Sequence, residues 1–190
     1  MTTHSAPVPH ADRSAEWSAA VPFEAWLAQA EDLVELWTSS YERARVPDGL
    51  VGRAEAAPGD WRLLVVMADW CLDATAAMPA LARLAEEAEG LSLAVLDRDD
   101  HPALMDHHLT NGTARAIPIV LLLDGEGTER AWWGPRPADL QAWFYGDGQT
   151  LEKEDRYREL RKWYARDRGA STLREVVAMI EGAAGVAHVA

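Results

Sequence analysis

The sequence predicts an α/β fold: a mixed sheet flanked by helices, with extra helices at both ends. Three observations carry this. Apolar runs of strand length recur at residues 61–70, 91–97 and 116–124. Segments with apolar residues every three or four positions lie between and around them. Gly- and Pro-rich turns separate most of the pieces. The order strand, helix, strand, helix, strand, hairpin, strand is that of a mixed α/β layer. At 190 residues and 48% hydrophobic content, the chain has enough apolar material for one full core.

Each element has its own justification. Residues 1–20 show neither a basic leader nor an apolar run of signal-peptide length, and they read as a disordered tail. Phe23, Trp26, Leu27, Ala30, Leu33, Val34, Trp37 and Tyr41 share one helical face, which predicts a single helix from Phe23 to about Val46. The Gly- and Pro-rich stretch 46–60 reads as a connecting loop. The run "WRLLVVMADW" has adjacent branched residues, the pattern of a strand buried on both faces. After Cys71, the residues Met78, Leu81, Leu84, Ala85 and Ala88 keep helical spacing until Gly90. "LSLAVLD" is a second strand, "HPALMDHHL" a short helix with Pro102 near its start, and "AIPIVLLLD" a third strand. "DGEG" turns that strand into a fourth, "TERAWWG". Helical spacing then covers 140–144, 151–166 and 173–181, and Thr172 with Glu175 has capping-box spacing for the last. The resulting division is a tail at 1–20, an N-terminal helix and loop at 21–60, a core at 61–145 and a C-terminal helical extension at 146–190.

Composition excludes some partners. Acidic residues outnumber basic ones 31 to 18, and the net charge of −13 repels nucleic acid and anionic membrane surfaces. No run reaches transmembrane length. A single cysteine, Cys71, forms no internal disulfide, which together with the missing leader points to the cytoplasm. His101, His107 and His108 cluster, but adjacent histidines face different sides of a helix, so no metal is expected there. The stretch "RYRELRKWYARDR", 156–168, interleaves acids with its arginines and reads as a solvated helix face; an acidic partner is the alternative.

Three anchors resemble the thioredoxin superfamily: Trp70-Cys71 at a strand-to-helix junction, Pro79 eight positions on, and Ile117-Pro118 before a later strand, 47 positions after the cysteine. The resemblance spans about 61–144. It implies a thioredoxin-like sheet, with Pro79 as the kink of the active-site helix, Ile117-Pro118 as the cis-proline loop, and Gly134 in the third substrate-facing loop. A helix N-terminus offers unpaired N–H groups and a positive dipole end to a thiolate at Cys71. The backbone before Pro118 can pair with an extended segment, over an apolar floor at Trp70. Strand alternation sends only one of Trp132 and Trp133 to that side. Asp69, Arg115, Trp133 and Gly134 border the expected substrate groove.

Departures from the pattern shape the functional expectation. Ala74 stands where the second cysteine of the redox motif belongs, and Val65 occupies the place of the usual buried acid six residues before Cys71. Asp73 and Asp69 flank the sulfur. At ~7 Å and an effective dielectric of about 50, one such charge opposes a thiolate by roughly 1 kcal/mol; the helix terminus returns about 0.3–1. A partly exposed thiol near the ordinary range is therefore expected. The resemblance implies monothiol thiol–disulfide exchange. Cys71 attacks a disulfide of a protein, peptide or glutathione adduct, and an external thiol such as glutathione releases the mixed disulfide. No bound cofactor is expected. The alternative is a non-redox binding module that holds a partner protein or peptide on the Trp70 and Pro118 surface.

Overall fold

The computed structural model describes residues 10–186. The sheet is built on β2 (Trp61–Met67), whose burial on both faces follows from its unbroken apolar run. On one side β2 pairs in parallel with β3 (Leu91–Asp97), from Trp61 opposite Leu91 to Met67 opposite Asp97. On the other it pairs antiparallel with β4 (Ile119–Asp124), which pairs antiparallel with β5 (Glu129–Trp133). A short strand, β1 (Val21–Pro22), closes the far edge against β3, giving the order β1-β3-β2-β4-β5. Val65 lies at the centre, fully buried between Val95 and Val120.

The crossover from β2 to β3 is α5 (Leu72–Glu87), which carries Pro79 within it and packs on β3. Around it stand α3 (Val34–Arg43), α8 (Lys153–Asp167) and α9 (Ala170–Ala184). α9 also covers β5 and α4 (Leu50–Glu55). α6 (Pro102–Asp106) starts with its proline in the first turn, where the missing N–H costs nothing. α7 (Ala138–Tyr145) and α8 share a second, smaller apolar cluster of Leu140, Phe144, Leu160 and Tyr164. Among the described residues, no helix is long and apolar enough to cross a membrane.

Four local expectations are corrected. The described part of the expected tail holds α1 (Ser14–Ala19); residues 1–9 lie outside the described residues. Asp12 forms a bridge with Thr128, and Arg13 makes a buried ion pair with Glu129 at 2.7 Å. These contacts anchor the segment before the helix begins. The single helix expected from Phe23 is two, α2 (Phe23–Leu27) and α3, separated by a turn in which Leu33 takes a left-handed φ of 51°. The expected loop 46–60 contains α4. Finally, Thr172 lies inside α9 rather than at its cap: the helix begins at Ala170 after Gly169. Gly169 has a φ of 82°, and a Cβ there would meet Ala80 Cβ at 2.7 Å, so a glycine lets α8 turn into α9 against α5.

Candidate functional site

Cys71 is the N-cap residue of α5, with extended backbone at the point where β2 hands over to the helix. Its carbonyl accepts the N–H of Thr75 at 3.0 Å, which starts the helix. The side chain is only 6% exposed, and the thiol donates to the Ile117 carbonyl oxygen at 3.6 Å. Burial pushes the thiol up to about 11; the Asp73 charge adds to this, while the backbone N–H groups of Ala74 and Asp73 and the nearby Arg136 oppose it. The donated hydrogen bond favours the neutral form as well. The thiol is then overwhelmingly protonated at pH 7. The expectation of a partly exposed thiol near the ordinary range is corrected here. It balanced two charges in solvent, whereas removal from solvent is the larger effect.

Asp73 does not face the sulfur as a free charge. It is buried and held by Arg136 through two hydrogen bonds, Nε to Oδ1 at 3.1 Å and Nη2 to Oδ2 at 2.6 Å. Arg136 also donates through Nη1 to Gln141 Oε1 at 3.2 Å, and its guanidinium lies 4.1 Å from the centre of the Phe144 ring. Tyr164, 7% exposed, brings its hydroxyl near enough to Asp73 to feel the charge of that carboxylate. Burial first, and then the Asp73 charge, push its phenol well above the ordinary value. Sequence reasoning missed Arg136, Gln141, Phe144 and Tyr164. The signal available was "GPRP", an arginine between two prolines in the loop after Gly134.

The other predicted residues divide into those at the sulfur and those at a distance. Ile117 and Pro118 are buried, their peptide bond is cis, and they stand beyond the ladder that ends at Val66 opposite Ile119. Gly134 lies against them. A Cβ on it would sit 2.4 Å from the Pro118 carbonyl oxygen, and its φ of 139° suits glycine alone. Ala74 is fully buried behind Cys71, whereas Trp70 is 48% exposed and Leu72 is 38% exposed. The Trp70 ring has the Arg98 guanidinium 5.7 Å from its centre.

Asp69 serves a different contact. Its Oδ2 accepts the N–H groups of Glu31 and Asp32 at 2.8 and 2.9 Å, and its carbonyl accepts Trp37 Nε1–H at 2.8 Å. These bonds stitch the turn between α2 and α3 to the Trp70-Cys71 loop, which accounts for the break in the expected helix. Trp133 is 2% exposed and donates Nε1–H to Glu175 at 2.7 Å. Glu175 also accepts the first N–H of α7, from Ala138, so this carboxylate caps α7 rather than its own helix. Trp132, on the other face of β5, packs edge-on against His108. Arg115 is exposed and doubly bonded to Asp106 at 2.6 and 2.7 Å.

A parallel β2–β3 unit, a cysteine capping the following helix and a proline loop against its sulfur define a thioredoxin-type fold. The family model described as thioredoxin matches residues 20–165, and the chain belongs to that family. Two solved structures share the fold, each with a TM-score of 0.70. One, an HIV epitope-scaffold, is 20% identical, with 90% of this chain and 99% of that one covered. The other, a protein of unknown function from Pseudomonas aeruginosa, is 23% identical, with 91% and 99% covered. Among curated proteins, none matches the chain.

Proposed function

We propose that this thioredoxin-family chain is a binding module, in which the surface around Trp70 and Pro118 holds an extended segment of a partner protein and Cys71 packs rather than reacts. The observation that carries this reading is the buried Cys71 thiol, raised to about 11 and donating to the Ile117 carbonyl. Ala74 and Val65 support it, since Ala74 takes the place of a resolving thiol and Val65 that of the buried acid of the redox pattern, while the nearby Asp73 carboxylate is held by Arg136. Trp70 and Leu72 supply exposed apolar surface at the rim, and aromatic anchors of this kind dominate binding surfaces.

Monothiol exchange is the second reading, favoured by the Ala74 and Asp73 N–H groups directed at the sulfur. In it the Cys71 thiolate attacks one sulfur of a disulfide and expels the other as thiolate; glutathione thiolate then attacks the mixed disulfide and frees Cys71.

One experiment separates the two. A peptide selected from a displayed library on the wild-type chain provides a defined ligand. The binding reading expects Trp70→Ala to weaken that ligand about tenfold or more, and Cys71→Ala to leave it within about twofold. It also expects no glutathione adduct on the wild type after exposure to glutathione disulfide at pH 7. Rapid adduct formation, together with loss of the ligand in Cys71→Ala, would overturn it.

A further inference from the structure

A groove of about 590 Å³ runs between α3, α5 and α8, with Leu72 and Thr75 of the first turn of α5 in its lining. Its size falls within the roughly 300–1,000 Å³ of small-molecule sites. Leu36, Leu72, Pro79 and Leu160 give it an apolar bed, and Leu36 and Leu72 are each 38% exposed. Its charged rim is one-signed: Arg43 from α3, and Arg161 and Arg168 from α8 and the turn that follows.

Three of the seven arginines without an ion pair among the described residues gather at this cleft. With a net charge of −13, carboxylates are abundant, and nine of the sixteen arginines are ion-paired. Arg43, Arg161 and Arg168 make no ion pair among the described residues, yet they converge on one apolar cleft. The Ser40 hydroxyl lines the same cleft. Such an arrangement complements a molecule with an anionic head and a single apolar chain. An anionic bilayer is repelled by the acidic surface as a whole, and a cleft of this volume suits one chain rather than a protein helix.

We infer that this groove binds a single-chain amphipathic anion, with a carboxylate or phosphate head at Arg161 and Arg168 and an apolar tail along Leu36, Pro79 and Leu160. The site adjoins the Trp70 and Pro118 surface at Leu72, and it does not depend on the binding reading given above. Arginine forks recognise either head through charge-assisted bonds.

The test titrates laurate and dodecyl phosphate, below their micelle concentrations, into the full chain and follows amide shifts by NMR. Saturable binding is expected, with shifts centred on α3, α5 and α8, and the tighter of the two ligands identifies the head. Dodecanol and dodecyltrimethylammonium should bind about tenfold or more weakly than the anions. Both arginines are exposed, so an Arg161→Glu/Arg168→Glu variant should keep its melting temperature and lose about tenfold or more in affinity for the anions. Trp70→Ala should retain them, which keeps this test distinct from that of the partner surface. Equal binding of anionic, neutral and cationic probes would overturn the proposal. So would unchanged affinity in the double variant, or shifts centred on Trp70. An acidic peptide that saturates the groove while both anions fail to bind would also overturn it, since the occupant would then be a protein.

Discussion

Two buried ion pairs, both built on an arginine, have opposite relations to the candidate site. In the first, Glu129 is fully buried and spends both oxygens, one on Arg13 at 2.7 Å and one on His108 Nε2 at 2.6 Å. His108 Nδ1 faces the Leu104 carbonyl oxygen at 2.8 Å, so the ring is held between that carbonyl and the Glu129 carboxyl group. This network ties the N-terminal segment to β5 and α6. In the second, Asp73 and Arg136 stand close to Cys71, beside the Tyr164 hydroxyl. The same chemistry thus serves as a fastening in one place and as the floor of a candidate site in the other. The lesson is that burial of charge does not by itself mark function; what the charge stands next to does.

The contrast can be broken first where the effect is largest. Glu129→Ala leaves Arg13 and His108 buried without their carboxylate and is expected to destabilise the fold by about 3–5 kcal/mol in urea unfolding. Alkylation of Cys71 in the native state should be unaffected. Arg136→Met strands Asp73 instead. The expected cost is about 2–3 kcal/mol, smaller because Asp73 lies nearer to solvent. Here the site should respond: Arg136 lowers the Cys71 titration, so its removal should raise it further, read as slower alkylation across pH. A Cys71 response to the first substitution and not to the second would erase the distinction.

A smaller effect follows from the thiol itself. Cys71 titrates higher in the folded chain than in the unfolded one, so its contribution is fully present below the unfolded thiol value and is lost as pH rises from about 9 to about 11. Over that window the wild type should lose up to about 2 kcal/mol relative to Cys71→Ala. Parallel stability profiles for the two would show that the sulfur is not buried in solution. The smallest shift is expected from Asp73→Asn, which removes a charge that raises Cys71. The alkylation midpoint should fall, yet stay above that of an unburied thiol, because burial is the larger cause. A midpoint in the ordinary thiol range would reverse that ranking.

The sheet was legible because its signal is local. β2, β3 and β4 each announce themselves as an apolar run, and α5 as a periodic face after Cys71, so neighbouring residues carry the pattern. The anchors of the site, Trp70-Cys71 and Ile117-Pro118, were legible for the same reason. What stayed hidden depends on partners far away in the chain. Arg13 meets Glu129 across 116 positions, and Arg136 meets Asp73 across 63. Glu175 has the spacing to cap α9 but is drawn to Trp133 and Ala138, which no helix rule anticipates. Nor does periodicity reveal that Asp69 captures the amides of Glu31 and Asp32 and so splits one helix into two.

That last feature changes what counts as the smallest transferable part of the molecule. Residues 61–145 look like a self-sufficient cassette, and a designer wishing to graft the cysteine loop onto another scaffold would cut there. Yet the loop's shape is held from outside the cassette, by two amides and an indole that belong to residues 31–37. A graft that leaves α2 and α3 behind would carry the sequence of the site without its template, and Asp69 would be left with a carboxylate looking for donors.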